Sequence, residues 1–275
     1  MTLEICVDTL ASVQACARAG ADRIELCAGL VEGGTTPSLG LLRAARRMFP
    51  GKIMVMLRPR AGDFVYSDAE FALMLDEIDF LRQHGADGIV SGLLTPDAAI
   101  DADRLKIIVE RAAGLDLTFH RAFDVSRDLA ESLEALIALG VPRVLTSGGH
   151  PDVRSGLDAL TRLAKQAAGR ILLLPGGGVT AEFIPEIIRR TGVTEIHLSA
   201  RVAVPSPMRY RRPDIPMGAA CVPGEYERKT ASEILIRTAH QALRSMGPFV
   251  KPTPAPVQAP ILLLDQTLNV PQVKP

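Results

Sequence analysis

Two cysteines sit in matching contexts, Glu4-Ile5-Cys6 and Glu25-Leu26-Cys27. Paired thiolates are soft donors that select Cu(I) over hard cations, and Met54 and Met56 offer thioether sulfurs of the same character. The competing reading is that Cys6 and Cys27 are small buried residues. No Cys-x-x-Cys pair and no His-x-x-x-His spacing occurs, which argues against zinc. A second group is polar. His120 is a candidate general acid or base, with Glu25 or Glu4 as partner. The fork of Arg58 suits a carboxylate or a phosphate. A His120 that is merely hydrogen-bonded at a strand end is the plainer alternative. A third group is rich in glycine: Thr146-Ser147-Gly148-Gly149, Pro175-Gly176-Gly177-Gly178 and Ser199-Ala200-Arg201. Gly177, Gly178, Ser199 and Arg201 are candidate anion-binding residues, because small residues leave backbone N–H groups free to face an anion. Tight turns would use the same residues. None of these runs is a Walker A sequence.

Eight short apolar runs read as strands and could position these groups. They are Leu3–Asp8, Arg23–Ala28, Lys52–Arg58, Gly88–Gly92, Leu115–His120, Arg143–Ser147, Ile171–Pro175 and Glu195–Ala200. Their starts recur about every 27 residues, the size of one βα unit. Helical patterns lie between them. Thr9 to Ala19 places Val13, Cys16 and Ala17 on one face, and Ser67 to Gln83 opens with a Ser67/Glu70 capping box. Gly20, Gly85, Gly140 and Gly192 each suit a left-handed helix end just before a strand. A helix after every strand forces parallel pairing, and eight such units close into a single (β/α)8 TIM barrel of the α/β class; an open doubly wound sheet is the alternative. In a barrel, alternate strand residues face the lumen. The apolar sets Leu3/Ile5/Val7 and Ile24/Leu26 must meet the helices. Glu4, Cys6, Arg23, Glu25, Cys27, Met54, Met56, Arg58, Thr118, His120, His197 and Ser199 then face inward. Such groups must pair with one another or bind something.

The 275 residues carry 31 basic and 31 acidic side chains, which gives no global electrostatic case for nucleic acid or an anionic membrane. No apolar run approaches 18 residues and no secretory signal opens the chain, so a cytoplasmic location is expected. Its four cysteines, at 6, 16, 27 and 221, are expected to be thiols. The barrel is expected over residues 1–247. A Pro-rich loop over Val202–Pro223 and a last helix over Glu225–Ser245 belong to that span. A Pro-rich tail at 248–275 reads as disordered.

Several motifs together resemble the CutC family of copper homeostasis proteins. They are Leu-Glu-Ile-Cys-Val-Asp (3–8), Gly-Ala-Asp-Arg-Ile-Glu-Leu-Cys (20–27) and Glu-Gly-Gly-Thr-Thr-Pro-Ser-Leu-Gly (32–40). The set continues with Arg-Pro-Arg-Ala-Gly-Asp-Phe-Val-Tyr-Ser-Asp (58–68), Thr-Phe-His-Arg-Ala-Phe-Asp (118–124) and Arg-Val-Leu-Thr-Ser-Gly (143–148). Pro-Gly-Gly-Gly-Val (175–179) and Ser-Pro-Met-Arg-Tyr-Arg (206–211) complete it. Ala61 departs from the glycine common after Arg-Pro-Arg. The resemblance implies a cytoplasmic TIM barrel that self-associates as a dimer or tetramer and binds copper, as Cu(I), at Cys6 and Cys27. The polar lumen keeps a second reading open. It is a lyase or isomerase for a small phosphorylated or carboxylated metabolite, with Glu25, Arg58 and His120 as the catalytic candidates.

Overall fold

The computed structural model describes residues 1–215 and 224–247. Cys221 and the Pro-rich tail at 248–275 lie outside the described residues. Eight strands alternate with helices along the chain. The strands are β1 (Thr2–Val7), β2 (Arg23–Leu26), β3 (Lys52–Met56), β4 (Gly88–Ser91), β5 (Asp116–Phe119), β6 (Arg143–Thr146), β7 (Leu172–Pro175) and β8 (Glu195–Leu198). Each of the eight expected runs carries one of them. The intervening helices are α1 (Leu10–Ala19), α2 (Leu39–Met48), α3 (Asp68–Gln83), α4 (Ala102–Arg111), α5 (Leu129–Ala138), α6 (Leu157–Ala167) and α7 (Ile184–Thr191).

All pairings in the eight-stranded sheet are parallel, and the order runs from β7 down to β1 and on to β8. β7 and β8 lie side by side and nearly close the sheet, so the fold is the (β/α)8 barrel. Gly20, Gly85, Gly140 and Gly192 all hold the left-handed backbone that turns helix into strand. Ser67 accepts from the Glu70 amide while Glu70 reaches back to the Ser67 amide, the expected capping box. Such a cap contributes about 1 kcal/mol to its helix.

The alternation along the strands sorts two cores. Leu3, Ile5, Val7, Ile24, Leu26, Ile53, Val55, Ile89, Val144 and Ile196 join the large apolar layer under the helices. Cys27, Met54, Met56 and Val90 form a separate apolar cluster. Polar groups of the opposite parity complete the interior. Arg23 pairs with Glu4 and, at 2.5 Å, with Glu195. Arg143 reaches Glu195 at 2.7 Å, Asp116 at 3.0 Å and Thr118 Oγ1 at 3.1 Å. The base of the lumen is therefore an ionic network whose buried charges satisfy one another.

One expectation is corrected. The segment expected as the start of the last helix is instead a strand, β10 (Glu227–Ala231), antiparallel to β9 (Arg201–Pro205). The helix α8 begins at Glu233 and runs to Ser245, with Ser232 as its cap. Part of the expected loop at Val202–Pro223 is thus the strand β9. Glu, Arg and Lys at 227–229 are good helix formers, but the cross-strand ladder to β9 overrides that weak preference. The Ser12 hydroxyl on α1, which accepts from the Ala231 amide, anchors the ladder's end.

Candidate metal centre

Parallel register sets the site. Glu4 of β1 stands level with Arg23 of β2 on one side and His197 of β8 on the other, and Cys6 stands level with Glu25. All these side chains have the parity that faces the lumen, and Glu4, Cys6, Glu25 and His197 are buried. One ligand atom from each of Cys6, Glu25 and His197 lies within 4.8 Å of the others. Glu25 Oε2 is 3.9 Å from His197 Nε2 and accepts from the Cys27 thiol at 3.6 Å. Cys27 thus touches the centre through Glu25 but lies outside the 4.8 Å group.

Electrostatics distinguishes the two carboxylates. Burial pushes Glu4 up, but the hydrogen bond to His197 and the Arg23 charge overcome it and hold Glu4 down to about 2. Burial takes Glu25 up to about 7, helped by the nearby Glu4 charge and opposed by His197. For His197, burial favours the neutral ring, yet the Glu25 charge and hydrogen bonds to Cys6 and Glu4 raise it well above the ordinary value. Burial, then the Glu25 charge, raises the Cys27 thiol far above its usual range. Glu25 Oε1 is a buried acceptor with no partner among the described residues. A centre with an unpaired carboxylate oxygen, a thiol and an imidazole calls for a cation or protons. Its donor chemistry fits a soft or borderline metal. His197 is oriented for that role, because its other ring nitrogen is held by Glu4, the usual arrangement of a ligating imidazole.

The remaining candidates are distributed around the upper, C-terminal end of the barrel. Arg58 does not extend a free fork. Its Nη atoms donate to the carbonyls of Glu32, Gly34 and Gly62 at 3.0, 2.9 and 2.8 Å. His120 caps a short turn, its Nδ1 accepting from the Ala122 amide. Gly177 and Gly178 follow β7 with positive φ, Gly177 beside Arg121 and Gly178 beside Asp152. Ser199 and Arg201 follow the neighbouring β8 and are partly buried, and Arg201 Nε has no partner among the described residues. The amides of the loop after β6 are already taken. Asp124 accepts from the Ser147 and Gly149 amides and from the Thr146 and Ser147 hydroxyls, and pairs with Arg121. Sequence reasoning placed His197 in the lumen without a role, and it missed Arg143 and Glu195. The matching parity of Glu195 and His197 on one strand was a signal that could have found Glu195.

Fold and centre together define a (β/α)8 barrel with a buried sulfur, imidazole and carboxylate cluster in its lumen. The profile of the CutC family matches residues 1–202, and the chain belongs to that family. A CutC family protein from Porphyromonas gingivalis is 45% identical over 246 residues, 90% of this chain and 99% of the relative. The human copper homeostasis protein cutC homolog is 44% identical over 236 residues, covering 86% of each chain. A crystal structure of CutC from Streptococcus agalactiae superposes with a TM-score of 0.69 at 34% identity, covering 72% of this chain and 98% of that one. Phosphoribosylanthranilate isomerase from Pyrococcus furiosus, at 13% identity and a TM-score of 0.52, shares the fold alone.

Proposed function

We propose that this protein binds Cu(I) in the lumen of its barrel and serves copper homeostasis in the cytoplasm. The observation that carries the reading is the convergence of Cys6, Glu25 and His197 within 4.8 Å, all buried, with one oxygen of Glu25 unpartnered among the described residues. Cys6 and Cys27 supply thiolates and His197 supplies Nε2. Glu25, between them, contributes the negative charge that a cation would balance. Bound Cu(I) would supply a soft acid that displaces protons from these donors. Glu4 fixes the imidazole, and the apolar wall of Met54, Met56 and Val90 keeps water away. The copper names of the relatives support the same assignment. Three free cysteines among the described residues fit a reducing compartment, and no helix among them is long and apolar enough to cross a membrane.

The reading includes self-association as a dimer or tetramer. It is supported by Leu73 and Phe80, seven residues apart on one face of α3 and each about half exposed. Light scattering on the purified chain checks it. The copper assignment is tested by anaerobic Cu(I) titration against a competing chelator. Stoichiometric binding is expected in the wild type and its loss in the double variant Cys6→Ser, Cys27→Ser, with a large weakening in His197→Ala. Equal binding in all three would refute the site.

A further inference from the structure

Three side chains at the mouth of the barrel carry buried polar atoms with no partner among the described residues: Arg58 Nε, Tyr66 Oη and His120 Nε2. Their residues are 5%, 5% and 4% exposed. Arg58 and His120 flank Phe64, and Tyr66 joins them through Arg58. The Arg58 guanidinium stacks over the Phe64 ring at 5.0 Å, and the His120 ring lies 4.9 Å from it, centroid to centroid. The Arg58 charge also acts on both Tyr66 and His120.

Each unpartnered atom is a donor. Arg58 Nε can only donate. His120 Nδ1 accepts from the Ala122 amide at 3.1 Å, which leaves the proton of the neutral ring on Nε2. Burial, reinforced by the Arg58 charge, drives His120 down to about 3, so the ring is neutral near pH 7. Burial takes the Tyr66 phenol up to about 12, so it keeps its proton. The Nη atoms of Arg58 donate to backbone carbonyls, its guanidinium also lies within hydrogen-bonding reach of the Tyr66 phenol oxygen, and among the described residues no carboxylate pairs with this buried cation. A buried charge without a counter-ion and two neutral donors without acceptors are costly together, and one oxyanion would satisfy all three.

We propose that Arg58, Tyr66 and His120 form a subsite for the oxyanion of a small ligand, a carboxylate or a phosphate, covered by the segment 59–65. That segment is half-exposed to exposed. It folds on its own around Arg60, which donates to the Ala61, Asp63 and Val65 carbonyls and pairs with Asp63 and Glu70. Its apolar tip, Phe64, lies against both Arg58 and His120, so the ligand enters by displacing that ring. Gly34 links this subsite to the lumen: its carbonyl accepts from Arg58, and a Cβ there would stand 3.1 Å from Cys27 Sγ. The proposal goes beyond copper binding and does not depend on it.

The test is calorimetric titration of the metal-free, full-length protein with inorganic phosphate and, separately, with malonate. Chloride serves as the control. Saturable binding of one phosphate or one malonate per chain is expected, and the probe that binds tells which oxyanion the subsite takes. Tyr66→Phe removes one donor and keeps the ring, and His120→Asn keeps an acceptor for the Ala122 amide. Each should weaken binding about 10- to 100-fold, the usual worth of a hydrogen bond to a charged group. Absence of saturable binding with both probes overturns the proposal. So does wild-type affinity in a Tyr66→Phe protein whose urea unfolding midpoint is unchanged.

Discussion

Nδ1 of His197 lies 2.7 Å from Oε1 of Glu4, across the β1–β8 pair that starts and ends the barrel. The contact joins residues 193 apart in sequence, and it aims the other ring nitrogen at Cys6 and Glu25. Glu4 touches no proposed metal position itself, so it acts as a positioning residue. Glu4→Gln keeps the shape but loses the charge that holds the ring. The expected result is Cu(I) affinity weakened about 10- to 100-fold, the usual cost of losing such an outer partner. Arg23 keeps Glu195, so the fold should survive. An unchanged affinity in the chelator competition would show that His197 needs no help, or that it is not a ligand.

Glu195 holds two buried guanidiniums at once, Arg23 at 2.5 Å and Arg143 at 2.7 Å. Glu195→Ala leaves both with fewer counter-charges in a closed interior. Removing one member of a buried ionic network costs about 3–5 kcal/mol, because the remaining charges are uncompensated. Urea unfolding should show a loss of that order at neutral pH. A loss under 1 kcal/mol would mean that water reaches the base of the lumen.

Much of this architecture is legible in the residues, and the failures share a cause. Strand parity places Glu4, Cys6, Glu25 and His197 in the lumen because the alternation of Leu3, Ile5 and Val7 leaves no other choice. Parity does not give stagger. Cys6 and Cys27 share a face, but the register sets Cys6 level with Glu25 and puts Cys27 two residues further along its strand. Pairing Cys6 with Cys27 from their matching contexts therefore passes over Glu25, the residue that stands level with Cys6. Arg143 and Glu195 lie on strands that are not neighbours, and nothing local in either strand announces the other. The strand β10 was hidden for a different reason: its residues favour a helix, and only the facing β9 makes them a strand.

His120 predicts a pH dependence. Its ordinary value is 6.5, and burial followed by the Arg58 charge lowers it to about 3 in the folded chain. The folded pKa is below the unfolded one, so the unfolded chain binds the extra proton first as pH falls. The contribution is therefore complete above pH 6.5 and is lost progressively as pH drops toward about 3. Across that window it is on the order of 5 kcal/mol. Denaturant titrations of the metal-free protein at several pH values should show stability falling over this range. His120→Asn, which has no titrating ring, should show a shallower fall. Parallel curves for the two proteins would show that the imidazole reaches water and titrates normally.

Gly176 seals the junction between β7 and β8. A Cβ at this position would stand 2.5 Å from Leu145 Cδ1, and 3.1 and 3.2 Å from Cδ2 and Cβ of His197. The first distance is shorter than real contacts allow, so Gly176→Ala must push Leu145, and the other two are tight enough to press on the imidazole as well. Overpacking of this kind costs about 1–3 kcal/mol. If His197 is the group that yields, Cu(I) affinity falls together with stability, although no proposed ligand has been changed. Gly40→Ala is the control. Gly40 lies in α2, where an added Cβ meets only Ser38 Oγ at 3.8 Å, so the change should stabilise by roughly 0.5–1 kcal/mol and leave Cu(I) binding alone. Paired unfolding and chelator-competition measurements on the two variants decide the matter. A destabilised Gly176→Ala protein with wild-type Cu(I) affinity would place the strain on Leu145, whereas affinity lost together with stability would place it on the imidazole of His197.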